Sequence, residues 1–129
     1  MRVLFVHQNF PGQFKHLAPA LVRGGSTVKA LTLKSGVQIE GVEVLDYGID
    51  RGSTAGIHPL ARDYEAKVLR GEACGRAAAA LRQTGFIPDI IYAHSGWGEA
   101  LFLKDVFPES KLIGYFEFYY RAEGLDLGF

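Results

Sequence analysis

His94 closes a short apolar run, Asp89-Ile90-Ile91-Tyr92-Ala93, and opens a glycine-rich turn, Ser95-Gly96-Trp97-Gly98-Glu99. An imidazole titrates near neutrality, so in that place it can give or take a proton or a hydrogen bond at a bound ligand. A strand, a tight turn and an apolar helix in that order put the turn at the carboxyl end of a sheet strand, outside which open α/β sheets bind their ligands. The competing reading of His94 is an imidazole satisfied by a neighbouring carbonyl. Ser95 and Glu99 have plain structural readings as a helix cap and a partner of the helix dipole. Gly96 and Gly98 mark backbone that approaches something closely, and Trp97 between them suits a lid or the core.

Two other stretches carry unusual polar residues. The loop His7-Gln8-Asn9-Phe10-Pro11-Gly12-Gln13 precedes an expected helix amino terminus, where free N–H groups and the dipole favour a phosphate. Neither the G-x-G-x-x-G nor the G-x-x-x-x-G-K-[ST] fingerprint occurs, so Pro11-Gly12 reads equally as a simple turn. Phe116-Glu117-Phe118-Tyr119-Tyr120-Arg121 joins a carboxylate, aromatics and a guanidinium, a surface suited to stacking on a pyranose and orienting its hydroxyls or a phosphate. The plain alternative is packing of Phe118, Tyr119 and Tyr120 against protein outside this chain. A serine-hydrolase elbow fails: Ala93 replaces the first glycine of G-x-S-x-G, and no histidine follows Ser95. His7, His16, His58 and His94 lack close metal-ligand spacing, and a His7, His94 and Glu117 site in space is the weaker alternative to hydrogen bonding.

These residues need elements to carry them. Val3 to Val6 reads as a central parallel strand. Phe14, Leu17, Ala18, Leu21 and Val22 follow at helical spacing until Gly24-Gly25. Val28 to Leu33 and Val42 to Tyr47 read as strands, the second with the alternation of an exposed edge. After a polar loop, Gly48 to His58, a helix is expected from Pro59 to Thr84. It would carry Leu60, Tyr64, Val68, Ala78 and Leu81 on one face, with Gly71 and Gly75 weakening its middle and Gly85 stopping it. Ala77 to Ala80 reads as close helix packing. A strand at Ile90 to Ala93, a helix from Trp97 to Phe107 and a strand near Leu112 to Phe116 complete the order. The fold expected is a single α/β, Rossmann-like, three-layer domain with a mostly parallel sheet of order 3-2-1-4-5. Its switch point brings the loops after strands one, four and five together.

Composition narrows the classes. The chain of 129 residues suits one domain, and 14 basic against 14 acidic residues leave a formal net charge of +0, without the basic field that nucleic-acid binding needs. Cys74 is the only cysteine, which excludes an internal disulfide framework. A lone cysteine suits a reducing cytoplasm, and no segment reaches roughly 18 uninterrupted apolar residues, so a soluble protein is expected.

Taken together, Met1-Arg2-Val3-Leu4-Phe5-Val6-His7-Gln8-Asn9-Phe10-Pro11-Gly12-Gln13-Phe14, then Gly96-Trp97-Gly98-Glu99, then Tyr115-Phe116-Glu117-Phe118-Tyr119-Tyr120 resemble the amino-terminal domain of glycosyltransferase family 4. The resemblance runs nearly end to end and is closest to the bacterial subgroup with HQNFPGQF and HSGWGE-type segments. It implies a GT-B enzyme: two Rossmann-like domains facing across a cleft, the first mainly for acceptor and the second for the nucleotide-sugar donor. Residues 1–129 would then be the acceptor-side domain, with the carboxyl-terminal domain outside this chain and this fragment inactive alone. Such enzymes are retaining and need neither metal nor cofactor. They transfer a sugar from a nucleotide-sugar substrate to a sugar or lipid-linked hydroxyl acceptor, in polysaccharide or glycolipid biosynthesis, the whole protein sitting in the cytoplasm with peripheral contact at the inner membrane face. By position, Gly12 and Gln13 would approach the donor phosphates, and His94 would contact the transferred sugar at the reaction centre. His7, Asn9, Gly96, Glu99, Glu117 and Arg121 would line the substrate. The family's paired glycines appear here as Gly12-Gln13, which leaves the second phosphate contact open. An aromatic patch near the cleft favours a homodimer. The alternatives from other classes are a stand-alone flavodoxin-like or nucleotide-binding module and an interaction domain using Phe118, Tyr119 and Tyr120.

Overall fold

The apolar run after Arg2 forms β1 (Arg2–Val6), in which Val3, Leu4, Phe5 and Val6 are wholly buried. A strand buried on both faces belongs in mid-sheet. In the computed structural model, which describes residues 1–117, β1 is the middle of five strands. The others are β2 (Thr27–Thr32), β3 (Val42–Asp46), β4 (Ile90–His94) and β5 (Lys111–Tyr115). They pair in the order β3-β2-β1-β4-β5, and every pairing is parallel. The α/β sheet of order 3-2-1-4-5 is therefore as expected, and wholly parallel. The alternating Val42 to Asp46 segment is an edge, as its pattern indicated.

Successive β1 side chains serve opposite layers, as the strand period of two requires. Val3 and Phe5 join Phe10, Phe14 and Ala18 under α1 (Leu17–Arg23), while Leu4 and Val6 join Cys74, Ala78 and Leu81 of α2 (Arg62–Gln83). At roughly 1.5–3 kcal/mol for each fully buried large apolar side chain, β1 alone anchors both layers. Among the described residues no helix is long and apolar enough to cross a membrane.

Three helix expectations need correction. The first helix does not begin near Phe14: a single 3-10 turn spans Gly12–Phe14, and α1 starts at Leu17. Pro19 explains this, because inside a longer helix its ring would meet the Lys15 carbonyl, whereas in the first turn its missing N–H costs nothing. The helix expected from Trp97 to Phe107 is a run of turns to Phe102 followed by a short α3 (Leu103–Val106). Gly98 has φ +105°, which no right-handed helix contains. Finally, Leu60 and Tyr64 do not face the sheet: Leu60 lies in a 3-10 turn (Pro59–Ala61) ahead of α2 and Tyr64 in the first turn of α2, and they are 88% and 73% exposed.

Gly71 has a use that helix propensity hides. A Cβ on Gly71 would lie 2.7 Å from the Gly98 carbonyl oxygen, and one on Gly98 would lie 2.1 Å from the Lys67 carbonyl oxygen. The turn after β4 thus rests directly on the backbone of α2. The polar loop before α2 is tied to the same helix. Glu65 takes hydrogen bonds from the Thr54 backbone and hydroxyl, and Arg76 pairs with Asp50 at 2.6 Å.

Candidate functional site

Parallel register places the chemistry. Val6 pairs with Ala93 and His94 pairs with Tyr115, so the chain leaving β1 delivers His7 beside His94. The two imidazole rings lie 5.1 Å apart, crossed at 76°. Both are buried, His7 at 6% and His94 at 3% exposure.

Each ring is fixed in the same way. The Asn9 backbone N–H donates to His7 Nδ1 at 2.9 Å, and the Gly96 backbone N–H donates to His94 Nδ1 at 3.3 Å. With Nδ1 accepting, the neutral ring carries its proton on Nε2. His94 Nε2 is buried without a hydrogen-bond partner and stands 3.6 Å from Glu117 Oε1. That carboxylate also accepts from the Gln13 side-chain amide. Buried polar groups are almost always paired, so a buried donor beside a cavity is an opening for a ligand acceptor. Burial first, and then the neighbouring His94, hold the His7 pKa below its ordinary value, against smaller opposing effects of Gln13 and Glu117. His7 is therefore a neutral ring at pH 7.

A cavity of about 210 Å3 opens here, lined by His94, Ser95, Gly96, Trp97, Tyr115, Phe116 and Glu117. The Trp97 ring lies nearly parallel to His94, at 21° with centroids 6.2 Å apart, and Tyr115 sits 6.1 Å from the same imidazole. The lining combines aromatic faces with one imidazole and one carboxylate, the mixture that binds a polyhydroxylated ring by stacking and directional hydrogen bonds. Among the described residues no group of three His, Cys, Asp or Glu side chains is arranged to hold a metal.

The candidate residues divide. His94, Gly96 and Glu117 line this cavity, and His7 and Gln13 stand directly behind it. Asn9 is exposed and contributes its backbone N–H to His7. Gly12 has φ +47°, and an added Cβ would lie 2.7 Å from His7 Cε1 and Nε2. Its close approach is thus to an imidazole, and it heads a 3-10 turn rather than an α-helix. Ser95 does not cap a helix; its hydroxyl donates to the Tyr115 carbonyl at 3.1 Å and ties β4 to β5. Glu99 lies outside the cavity, 1% exposed, accepting the Tyr47 hydroxyl at 2.9 Å. Its dipole role required a helix at Trp97, which Gly98 prevents. Phe118, Tyr119, Tyr120 and Arg121 lie outside the described residues. Sequence reasoning passed over Tyr47 and Arg70; the one visible signal was Tyr47 at the carboxyl end of an edge strand.

Residues 24–129 match a family model described as the glycosyl transferase family 4 group. No curated protein matches the chain.

Proposed function

Because the chain belongs to glycosyltransferase family 4, matched over residues 24–129, we propose that the edge carrying His94 is the sugar-contacting face of the acceptor-side lobe of a retaining enzyme. The observation that carries this reading is the buried, unpaired His94 Nε2 beside a cavity walled by Trp97, Tyr115 and Phe116. His94 donates from Nε2 to a sugar hydroxyl, Trp97 offers a stacking face, and Glu117 accepts from a second hydroxyl. In the transfer, the bond from the anomeric carbon to the diphosphate oxygen breaks and the acceptor oxygen bonds to that carbon. The acceptor proton leaves with the diphosphate.

Charge argues for a second lobe. No lysine or arginine among the described residues lines this cavity, and its one carboxylate side chain is Glu117. Stabilising a departing diphosphate requires preorganised positive charge or N–H donors; in this reading a donor-binding domain across the cleft supplies them, and the chain alone is inactive. Phe116, 75% exposed, with Ile113 and Tyr115 beside it on β5, gives an apolar rim that favours pairing of two copies. A cytoplasmic enzyme of polysaccharide or glycolipid synthesis, with a hexosyl donor and peripheral contact at the inner membrane face, fits this arrangement.

The test is a transfer screen with UDP-, GDP- and ADP-sugars on the gene product that contains this chain, beside the chain alone. One donor class should be used, and His94→Ala should lower turnover about 100-fold through loss of sugar placement. Unchanged turnover in a folded His94→Ala protein refutes the role given to the imidazole.

A further inference from the structure

A second polar cluster lies under the site, on the α2 face of the sheet. Glu99, wholly inside, accepts the Tyr47 hydroxyl through Oε1, and its Oε2 is buried without a partner. Tyr47, 5% exposed, follows β3 at one edge of the sheet, while Glu99 follows β4, on the far side of β2 and β1. Their bond therefore reaches across the carboxyl end of the sheet. Arg70 of α2 donates from Nη1 to the Trp97 carbonyl at 2.6 Å, and its Nε is also buried and unpaired. Burial raises the pKa of Glu99, while a hydrogen bond from its own backbone, the Tyr47 hydrogen bond, Arg70 and His94 pull it down less strongly; burial likewise raises Tyr47 and Cys74 nearby.

A carboxyl group inside an apolar layer is a costly way to fill space. Here three attachments converge on one short segment: Arg70 holds Trp97, the α2 backbone stops Gly98, and Tyr47 holds Glu99. That segment also provides the Gly96 N–H that orients His94. Resting on the sugar-site reading, we infer that Glu99 is a positioning residue of that site: with Tyr47 and Arg70 it clamps the Ser95–Gly98 turn, setting the separation between the Trp97 face and His94. Glu99 touches no substrate and acts only through the turn.

Trp97 is the only tryptophan of the chain, so its emission reports the clamp without any assay of transfer. In Glu99→Ala the emission maximum shifts red and acrylamide quenches the ring more readily. Glu99→Gln, which still accepts the Tyr47 hydroxyl, restores the native spectrum. Tyr47→Phe, which removes the donated hydroxyl and keeps the ring, shows the same red shift in smaller degree. Affinity for a bound glycoside falls about tenfold in Glu99→Ala, about 1.4 kcal/mol, and recovers in Glu99→Gln. A folded Glu99→Ala protein with native Trp97 emission and quenching overturns the inference. If that variant fails to fold, native emission in Tyr47→Phe overturns it instead. A wild-type chain that binds no glycoside defeats the sugar-site reading, whereas the spectra of the variants judge the clamp separately.

Discussion

Gly98→Ala tests whether the turn after β4 owes its place to backbone contact with α2. The new Cβ would lie 2.1 Å from the Lys67 carbonyl oxygen and 2.8 Å from the Lys67 carbonyl carbon, so it meets a helix main chain that no side-chain rotation can move. It would also be held at φ +105°, where L side chains are strained. Backbone strain of about 1–3 kcal/mol and overpacking of about 1–3 kcal/mol together suggest a loss near 4 kcal/mol. Against a typical domain stability of about 5–15 kcal/mol that is a large fraction, and at this chain length it lowers Tm by roughly 10–20 °C. Gly48→Ala is the control: nothing lies within 4 Å of its added Cβ and its φ is not positive, so it should change stability by less than about 0.5 kcal/mol. Urea titration followed by circular dichroism gives the global value, and Trp97 emission reports the turn. Gly71→Ala presses on the same contact from the helix side, 2.7 Å from the Gly98 carbonyl oxygen. The double variant should therefore cost less than the sum of the singles. A Gly98→Ala protein within about 1 kcal/mol of wild type, by the same scale of strain, would show that the turn is not seated on the helix as argued.

Further outcomes follow from the first loop. Gly12→Ala places a Cβ against the His7 imidazole at φ +47°, so it should cost about 1–3 kcal/mol and displace the ring from the Asn9 N–H. The nitrogen chemical shifts of His7 check this, a native Nδ1 signal counting against it. His7 itself sets a pH response. Its folded pKa lies below the ordinary 6.5, so its contribution is fully present above 6.5 and declines as pH falls through the depressed value. His7→Asn should flatten that limb in denaturation curves measured at successive pH values, and an unchanged slope would refute the assignment.

Much of the architecture was legible because it rests on local patterns. Four consecutive apolar residues in β1 announce a strand with two buried faces, and the alternation in β3 announces an edge. The order of the strands follows from handedness, and with it the meeting of the loops that carry His7, His94 and Glu117. What stayed hidden depends on contacts between distant residues. Gly71 and Gly75 read as weak points in a helix and Gly98 as backbone close to an unnamed neighbour, because a single sequence does not show which backbone lies opposite. Glu99 and Tyr47 are 52 residues apart, and nothing in the composition of either segment marks them as partners. Leu60 and Tyr64 fit a helical stripe, but the chain at Leu60 is a 3-10 turn ahead of α2, and both side chains are exposed.

The pinning of both imidazoles at Nδ1 sets the direction of hydrogen bonding at this edge. With Nδ1 already receiving a backbone N–H, the nitrogen that His7 and His94 each leave for a further hydrogen bond is Nε2. Among the described residues lining the cavity, Glu117 is the one carboxylate, so the wall sets an acceptor 3.6 Å from the donor that His94 offers.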